Sequence, residues 1–184
     1  MDYPPLTGSE IWKRKIRTAF KGLDANDDGY ITEEDFIIAA QRAAQYLGLT
    51  DEETEPMLNI RREVWKGMSS NSQTTKISEE EHIKITMSIF NESKFRLETY
   101  PRIVLTGFDV MDIDGDGRIS KREFAAFFYG MNVPAEYSKD VFDVLDENKD
   151  GFISFEEYAQ GHVEFWFGED PNSKYNEFLG PLVQ

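Results

Sequence analysis

Apolar positions along the chain recur at helical spacing in paired stripes, and a short polar segment separates the members of each pair. Trp12, Ile16, Ala19, Phe20 and Leu23 fall on one helical face, and Phe36, Ala39, Ala40, Ala43 and Leu47 on the next. Met57, Ile60, Val64 and Met68 form a third stripe, opened by Thr50-Asp51-Glu52-Glu53, whose threonine and glutamate are spaced as a capping box. Ile83, Ile85 and Phe90 form the fourth. Further on, Ile103, Val104, Phe108 and Met111 precede Phe124, Phe127 and Phe128. Last come Val141, Phe142 and Leu145, then Phe155, Tyr158, Ala159, His162 and Trp166. The pattern predicts an all-α chain of four helix–loop–helix units.

The separators repeat as well. Asp24 to Asp35 (DANDDGYITEED), Asp112 to Glu123 (DIDGDGRISKRE) and Asp146 to Glu157 (DENKDGFISFEE) share one twelve-residue pattern. A hard divalent cation wants about six to eight oxygens at ~2.3–2.6 Å, and a short loop must wrap around it to supply them. Positions 1, 3 and 5 offer the first oxygens: Asp24, Asn26 and Asp28; Asp112, Asp114 and Asp116; Asp146, Asn148 and Asp150. Glycine at position 6 allows the sharp turn. Position 7 contributes its backbone carbonyl, so its side chain is free to vary as Tyr30, Arg118 and Phe152. Thr32, Ser120 and Ser154 at position 9 coordinate directly or through water, and Asp35, Glu123 and Glu157 close the shell at position 12. Three such segments in register resemble the calcium loop of the EF-hand family. The resemblance implies three Ca²⁺ sites, and hands that pair through a short two-stranded β ladder at the position-8 residues Ile31, Ile119 and Ile153.

Loops 112–123 and 146–157 make an evident C-terminal pair. The first loop finds a partner when Ile77 is set at position 8, which gives Ser70 to Glu81 (SNSQTTKISEEE). Here Ser70, Ser72 and Thr74 stand at positions 1, 3 and 5, Thr75 replaces the glycine, and Glu81 alone remains of the strong ligands. This second hand is expected to keep its fold and to have lost its metal. The organisation is then an N-terminal pair over residues 1–91 and a C-terminal pair over 101–184. The short junction (NESKFRLETY) and a tail bearing Tyr175, Phe178, Leu179, Leu182 and Val183 predict that the two pairs fuse into one globule, the tail filling the groove. His82, which follows three glutamates, reads as a solvated helix residue.

The loops differ in donor chemistry. Loop 112–123 brings four carboxylates, and loop 146–157 brings three with Asn148 as a neutral donor. Loop 24–35 ends in Asp35, one methylene shorter than glutamate, which makes bidentate reach harder and favours six-coordinate geometry. Weaker Ca²⁺ preference is expected there, with Mg²⁺ as the resting occupant.

Composition narrows the function. The 35 acidic and 20 basic side chains leave a net charge of −15, yet 40 % of residues are hydrophobic and 14 % aromatic, too apolar for a disordered acidic tail. The carboxylate surplus argues against nucleic acid and anionic membrane partners. No stretch approaches ~18 consecutive apolar residues, so no membrane span is expected. The absence of cysteine excludes disulfides and thiolate chemistry, and MDYPPLTGSE lacks a basic, apolar leader; both fit a cytoplasmic, monomeric protein. No nucleophile elbow, phosphate loop or histidine cluster is present, and the paired carboxylates are committed to metal. The chain reads as no enzyme.

Two related families share this layout. A nonfunctional second hand, an Asp at position 12 of the first and the run FLGPLVQ resemble the sarcoplasmic calcium-binding proteins, which implies cytosolic Ca²⁺/Mg²⁺ buffering. His162-Val-Glu-Phe-Trp166 resembles the His-x-x-x-Trp segment of the calcium-regulated photoproteins. EFWFGED followed by NEFLGPLV is similar to the end of the coelenterazine-binding proteins. That likeness implies a hydrophobic small molecule such as coelenterazine in a cavity that would include Trp12, Trp65, His162 and Trp166. The departures are Ile16 in place of a first-helix histidine, Phe178 or Leu179 in place of a tyrosine, and no terminal proline. Buffering is the first expectation, with a Ca²⁺-dependent ligand binder and a Ca²⁺ sensor for a protein partner as alternatives. With 6 Met beside 14 Phe, 8 Tyr and 3 Trp, the sensor is the less supported alternative, because sensors expose Met-rich grooves.

Overall fold

The structure, a computed structural model, describes residues 3–72 and 75–183. Each apolar stripe becomes a helix. These are α1 (Glu10–Leu23), α2 (Glu33–Leu47), α3 (Asp51–Ser72), α4 (Glu79–Phe90), α5 (Tyr100–Met111), α6 (Lys121–Gly130), α7 (Glu136–Leu145) and α8 (Phe155–Phe167). Four two-residue strands lie between the members of each pair: β1 (Tyr30–Ile31), β2 (Ile77–Ser78), β3 (Ile119–Ser120) and β4 (Phe152–Ile153). β1 runs antiparallel to β2 with Ile31 opposite Ile77, and β3 to β4 with Ile119 opposite Ile153. All four isoleucines are buried, so one apolar residue per loop ties each pair together. The pairing read from Ile77 alone is the one the chain adopts.

Local chemistry sets the helix starts. Thr50 donates both its N–H and its hydroxyl to Glu53 Oε2 at 2.8 Å, as the capping box predicts. Ser78, Ser120 and Ser154 cap α4, α6 and α8 in the same way, each exchanging bonds with the glutamate three residues on. α2 stops at Gly48, which takes the left-handed φ of 75° that a helix end favours.

The core crosses the 91–100 junction. Trp12 and Ile16 of α1 share one apolar cluster with Phe124, Phe128, Phe142 and Phe165 of the second half. α2 lies against α6 through Ala39, Ala43 and Gly130, so closely that a Cβ on Gly130 would sit 2.6 Å from the Ala39 carbonyl oxygen. The junction holds a π-helical turn, Phe95–Thr99, with the Phe95 ring stacked on Phe90 at 4.9 Å between centroids. The tail packs as expected: Tyr175, Phe178 and Leu179 are buried, and Val183 is clasped by Arg14 and Thr18 of α1. Tyr175 also donates to Glu147 at 2.7 Å, which joins the tail to loop 146–157. Among the described residues no helix is long and apolar enough to cross a membrane.

Candidate metal centres and aromatic core

In the first, third and fourth hands the incoming helix ends one residue before position 1 of the loop, at Leu23, Met111 and Leu145. The carboxylates then turn inward onto backbone N–H groups. Asp24 Oδ2 accepts from Gly29 N at 2.8 Å, Asp112 Oδ2 from Gly117 N at 2.9 Å and Asp146 Oδ2 from Gly151 N at 3.1 Å. Position 5 follows suit, accepting from the N–H of position 7 at 2.9–3.0 Å in all three. Gly29, Gly117 and Gly151 take φ of 85–89°, where a Cβ would strain the turn. Position 4 is left-handed too, at Asp27, Gly115 and Lys149. The sequence reading did not anticipate this, and glycine occurs at only one of the three positions.

Position 12 carries two duties. Its carboxylate caps the outgoing helix by accepting the position-9 N–H, from Thr32 to Asp35 at 2.7 Å, Ser120 to Glu123 at 2.8 Å and Ser154 to Glu157 at 2.9 Å. Its second oxygen crosses the loop to the start of the motif. Glu123 Oε1 reaches Ile113 N and Asp114 N, and Glu157 Oε1 reaches Glu147 N and Asn148 N. Asp35 Oδ1 reaches only Asn26 N, at 3.2 Å. The missing methylene thus has a visible consequence: Asp35 spans one N–H fewer than either glutamate.

The donor set fits a hard divalent cation. Oxygens of Asp112, Asp114 and Asp116 converge within 4.8 Å of one another. Asp112 Oδ1 is buried with no hydrogen-bond partner, an expensive arrangement for a carboxylate unless a cation meets it. Burial raises the Asp112 carboxyl above its ordinary range, with Glu123 and Asp116 adding repulsion. A bound Ca²⁺ would remove that repulsion. The Arg118 guanidinium lies over the Phe152 ring at 4.2 Å and donates to Asp116 Oδ2 at 3.3 Å.

The second hand differs. α3 continues through Ser72 and so runs over positions 1 to 3 of the motif, where the other loops have already left their helices. The side chains of Ser70 and Ser72, and Thr74, lie outside the described residues. Among the described residues Glu81 keeps the capping duty, accepting from Ser78 N at 2.9 Å and Ser78 Oγ at 2.6 Å.

Away from the loops, the structure gathers three of the four candidate cavity residues. Trp12 Nε1 donates to Trp166 O at 2.9 Å, and Trp166 Nε1 donates to His162 Nε2 at 3.1 Å. Tyr100 Oη lies 2.7 Å from His162 Nδ1 and 3.3 Å from His162 O. Indole is only a donor, so His162 Nε2 must accept and the ring proton of the neutral imidazole sits on Nδ1. Nδ1–H then donates to Tyr100 Oη, whose own proton points to the His162 carbonyl. Rings of Tyr100, Tyr158, Trp166 and Phe178 surround the imidazole at centroid distances of 5.4–6.0 Å. Trp65 stands elsewhere, in a separate cluster with Phe20, Ile31, Phe36 and Ile77.

Three buried ionisable side chains outside the loops escaped the sequence reading. His82 is not solvated: it is 5 % exposed on the face that α4 shares with Thr86 and Phe90, and its Nδ1 has no partner. Lys15 is fully buried and donates to Glu164 O and Gly168 O (2.6 Å to the latter), placing positive charge on the carbonyl end of α8. Burial lowers its ammonium to about 8. Arg61 is 6 % exposed, with its guanidinium 5.6 Å from the Phe127 ring centroid. Burial brings it down to about 10, so it stays charged at neutral pH.

Burial also pushes His82 down to about 4 and His162 to about 3. Unfolding restores values near 6.5, so the unfolded chain binds protons that the folded chain refuses. The stabilisation from keeping both rings neutral is complete above pH 6.5 and is lost as pH falls towards 4 and 3. The double variant His82→Phe/His162→Gln should therefore lose less stability between pH 6.5 and 5 than the parent. The difference approaches about 1.4 kcal/mol per pH unit for each histidine. Equal losses in urea titrations at the two pH values would rule out this assignment.

Comparison with known proteins agrees with the loop geometry. Models of the EF-hand domain pair match residues 9–43 and 104–161, together about half of the chain. The chain is a calcium-binding protein of the EF-hand family. It is 29 % identical to the luciferin-binding protein of Renilla reniformis over 98 % of this chain and 100 % of that one. It is 28 % identical to the sarcoplasmic calcium-binding protein of Perinereis vancaurica tetradentata over 95 % and 100 %. Its fold matches the crystal structure of the coelenterazine-binding protein from Renilla muelleri in its calcium-loaded apo form. That match has a TM-score of 0.83 and 26 % identity over 95 % of this chain and 99 % of the other. These relatives are calcium-binding or luciferin-binding proteins.

Proposed function

We propose that the chain binds three divalent cations, at residues 24–35, 112–123 and 146–157, and acts as a Ca²⁺/Mg²⁺ buffer. The observation that carries this reading is the loop-crossing carboxylate at position 12, which occurs at Asp35, Glu123 and Glu157. The second hand serves only as structural partner of the first, a role supported by the helical start of its loop and by the Ile31–Ile77 pairing. The ligands are Asp24, Asn26, Asp28, Thr32 and Asp35 with the carbonyl of Tyr30; Asp112, Asp114, Asp116, Ser120 and Glu123 with that of Arg118; and Asp146, Asn148, Asp150, Ser154 and Glu157 with that of Phe152. The closed, tail-sealed core favours buffering over sensing, so Ca²⁺ should cause little new binding of an apolar dye. A strong calcium-dependent rise in dye binding would replace the buffer with a sensor.

The shorter reach of Asp35 makes the first loop the Mg²⁺ site. Asp35→Glu should raise its Ca²⁺/Mg²⁺ selectivity by roughly tenfold in competition calorimetry. An unchanged ratio would refute that reasoning.

A second reading is the calcium-linked holding of an apolar aromatic ligand. It is favoured by the histidine-centred core and by the likeness to the coelenterazine-binding protein. Mixing calcium-free and calcium-loaded protein with coelenterazine and following bound absorbance tests it. Uptake in neither state removes it.

A further inference from the structure

Two exposed tyrosines meet where the N-terminal and C-terminal pairs of hands join. Tyr46 lies near the end of α2 and Tyr129 near the end of α6, the outgoing helices of the first and third hands. Their rings are in contact, with centroids 5.4 Å apart and planes tilted by 39°. Both residues face solvent, at 40 % and 41 % exposure. The helices beneath fix where the rings stand. Ala39 and Ala43 against Gly130 set the spacing of α2 and α6, and Arg122 of α6 donates to the Leu47 carbonyl of α2 at 2.7 Å. Among the described residues this is the one ring contact that joins two tyrosines. Tyr100, Tyr158 and Tyr175 are buried, Tyr3 donates to Glu164, and the Lys76 ammonium covers the Tyr30 ring at 4.0 Å.

Packing alone asks for no hydroxyl here, since two phenylalanines would make the same ring contact. What phenols add is one-electron oxidation, which leaves a neutral radical with unpaired spin on the ring carbons ortho to the oxygen. The chain has no cysteine, so no disulfide can tie the two pairs of hands together. We infer that Tyr46 and Tyr129 are an oxidative cross-linking site, where a peroxide-driven one-electron oxidant of the haem peroxidase class locks the two pairs. Each phenol gives up one electron and one proton, and the two radicals form a carbon–carbon bond between ortho carbons. The hydrogen on each bonded carbon then moves to its own phenol oxygen and restores the aromatic ring. The two hydrogen atoms removed reduce one hydrogen peroxide to two waters. Exposure lets the oxidant reach both rings, and contact makes the coupling intramolecular. Exposed side chains change rotamer in picoseconds to nanoseconds, so the ortho carbons meet before the radicals decay. The new bond closes a long loop between residues 46 and 129, and constrains the unfolded chain as a disulfide across that span would.

The test treats the dilute, Ca²⁺-saturated full chain with a haem peroxidase and hydrogen peroxide. A parallel sample receives photo-excited ruthenium tris-bipyridine and persulfate, a small oxidant that reaches any exposed phenol. Both should yield a monomeric product lighter by two hydrogen atoms and showing dityrosine fluorescence. Its digest should link the peptide carrying Tyr46 to the peptide carrying Tyr129. Tyr46→Phe and Tyr129→Phe keep the ring contact and should each abolish that product. The purified cross-linked monomer should unfold roughly 10 °C above the untreated chain. No monomeric product with either oxidant, a product joined at other tyrosines, or one that persists in both variants overturns the site. A product with the small oxidant alone overturns the peroxidase as the oxidant. An unchanged Tm in the cross-linked monomer overturns the lock.

Discussion

Replacing Glu123 with Gln is expected to weaken Ca²⁺ at loop 112–123 by roughly a hundredfold and to leave α6 folded. Glutamine keeps the side-chain length and the capping function, so it can still accept the Ser120 N–H that Glu123 Oε2 now takes at 2.8 Å. It loses the charge and the bidentate grip. The loop keeps Asp112, Asp114 and Asp116, so one carboxylate charge and one ligand oxygen fewer face the cation. Calorimetry should resolve two tight sites in this variant where the parent has its full set, with an unchanged helical signal at saturating Ca²⁺. Full-strength binding at the third loop would mean that Glu123 serves only as a helix cap.

The second large effect concerns the core. Trp12→Ala should cost about 3–5 kcal/mol, because it empties a fully buried indole site and strands the Trp166 carbonyl that Trp12 now satisfies. For a chain of this size that is a drop of roughly 10 °C in Tm. The loss should be most damaging without metal, where ligand carboxylates repel one another and no cation binding offsets the deficit. Differential scanning calorimetry with EDTA and with Ca²⁺ reads both states. A shift of only a degree or two in EDTA would show that α1 is not held to α8 through this side chain.

Sequence made the loops legible because cation chemistry constrains spacing tightly. One isoleucine, Ile77, was enough to place the second hand, and its ladder partner is Ile31 as that alignment requires. Fusion of the two pairs was foreshadowed by the apolar tail and junction. The alanine and glycine contacts of α2 with α6 that accomplish it carry no motif. The buried polar residues were harder. On α4 the apolar residues Ile83 and Ile85 suggested one face, yet the buried face runs through His82, Thr86 and Phe90 at steps of four. On α3 it runs through Met57, Arg61 and Trp65 rather than Met57, Ile60 and Val64. A periodicity search that scores only apolar residues rotates such a helix by about one position. Steps of four that include a polar residue were the available signal. The division of the aromatic candidates was not available at all: Trp65 and Trp12 look alike in sequence and differ only in which helices surround them.

The central claim is that three hands hold metal and the second does not. Native mass spectrometry of the full chain at saturating Ca²⁺ tests it most directly. The account predicts a dominant species with three Ca²⁺ per chain, and an Asp112→Asn/Glu123→Gln variant with two. Four bound ions would contradict the loss of metal at residues 70–81, and two in the parent would contradict the assignment of loop 24–35.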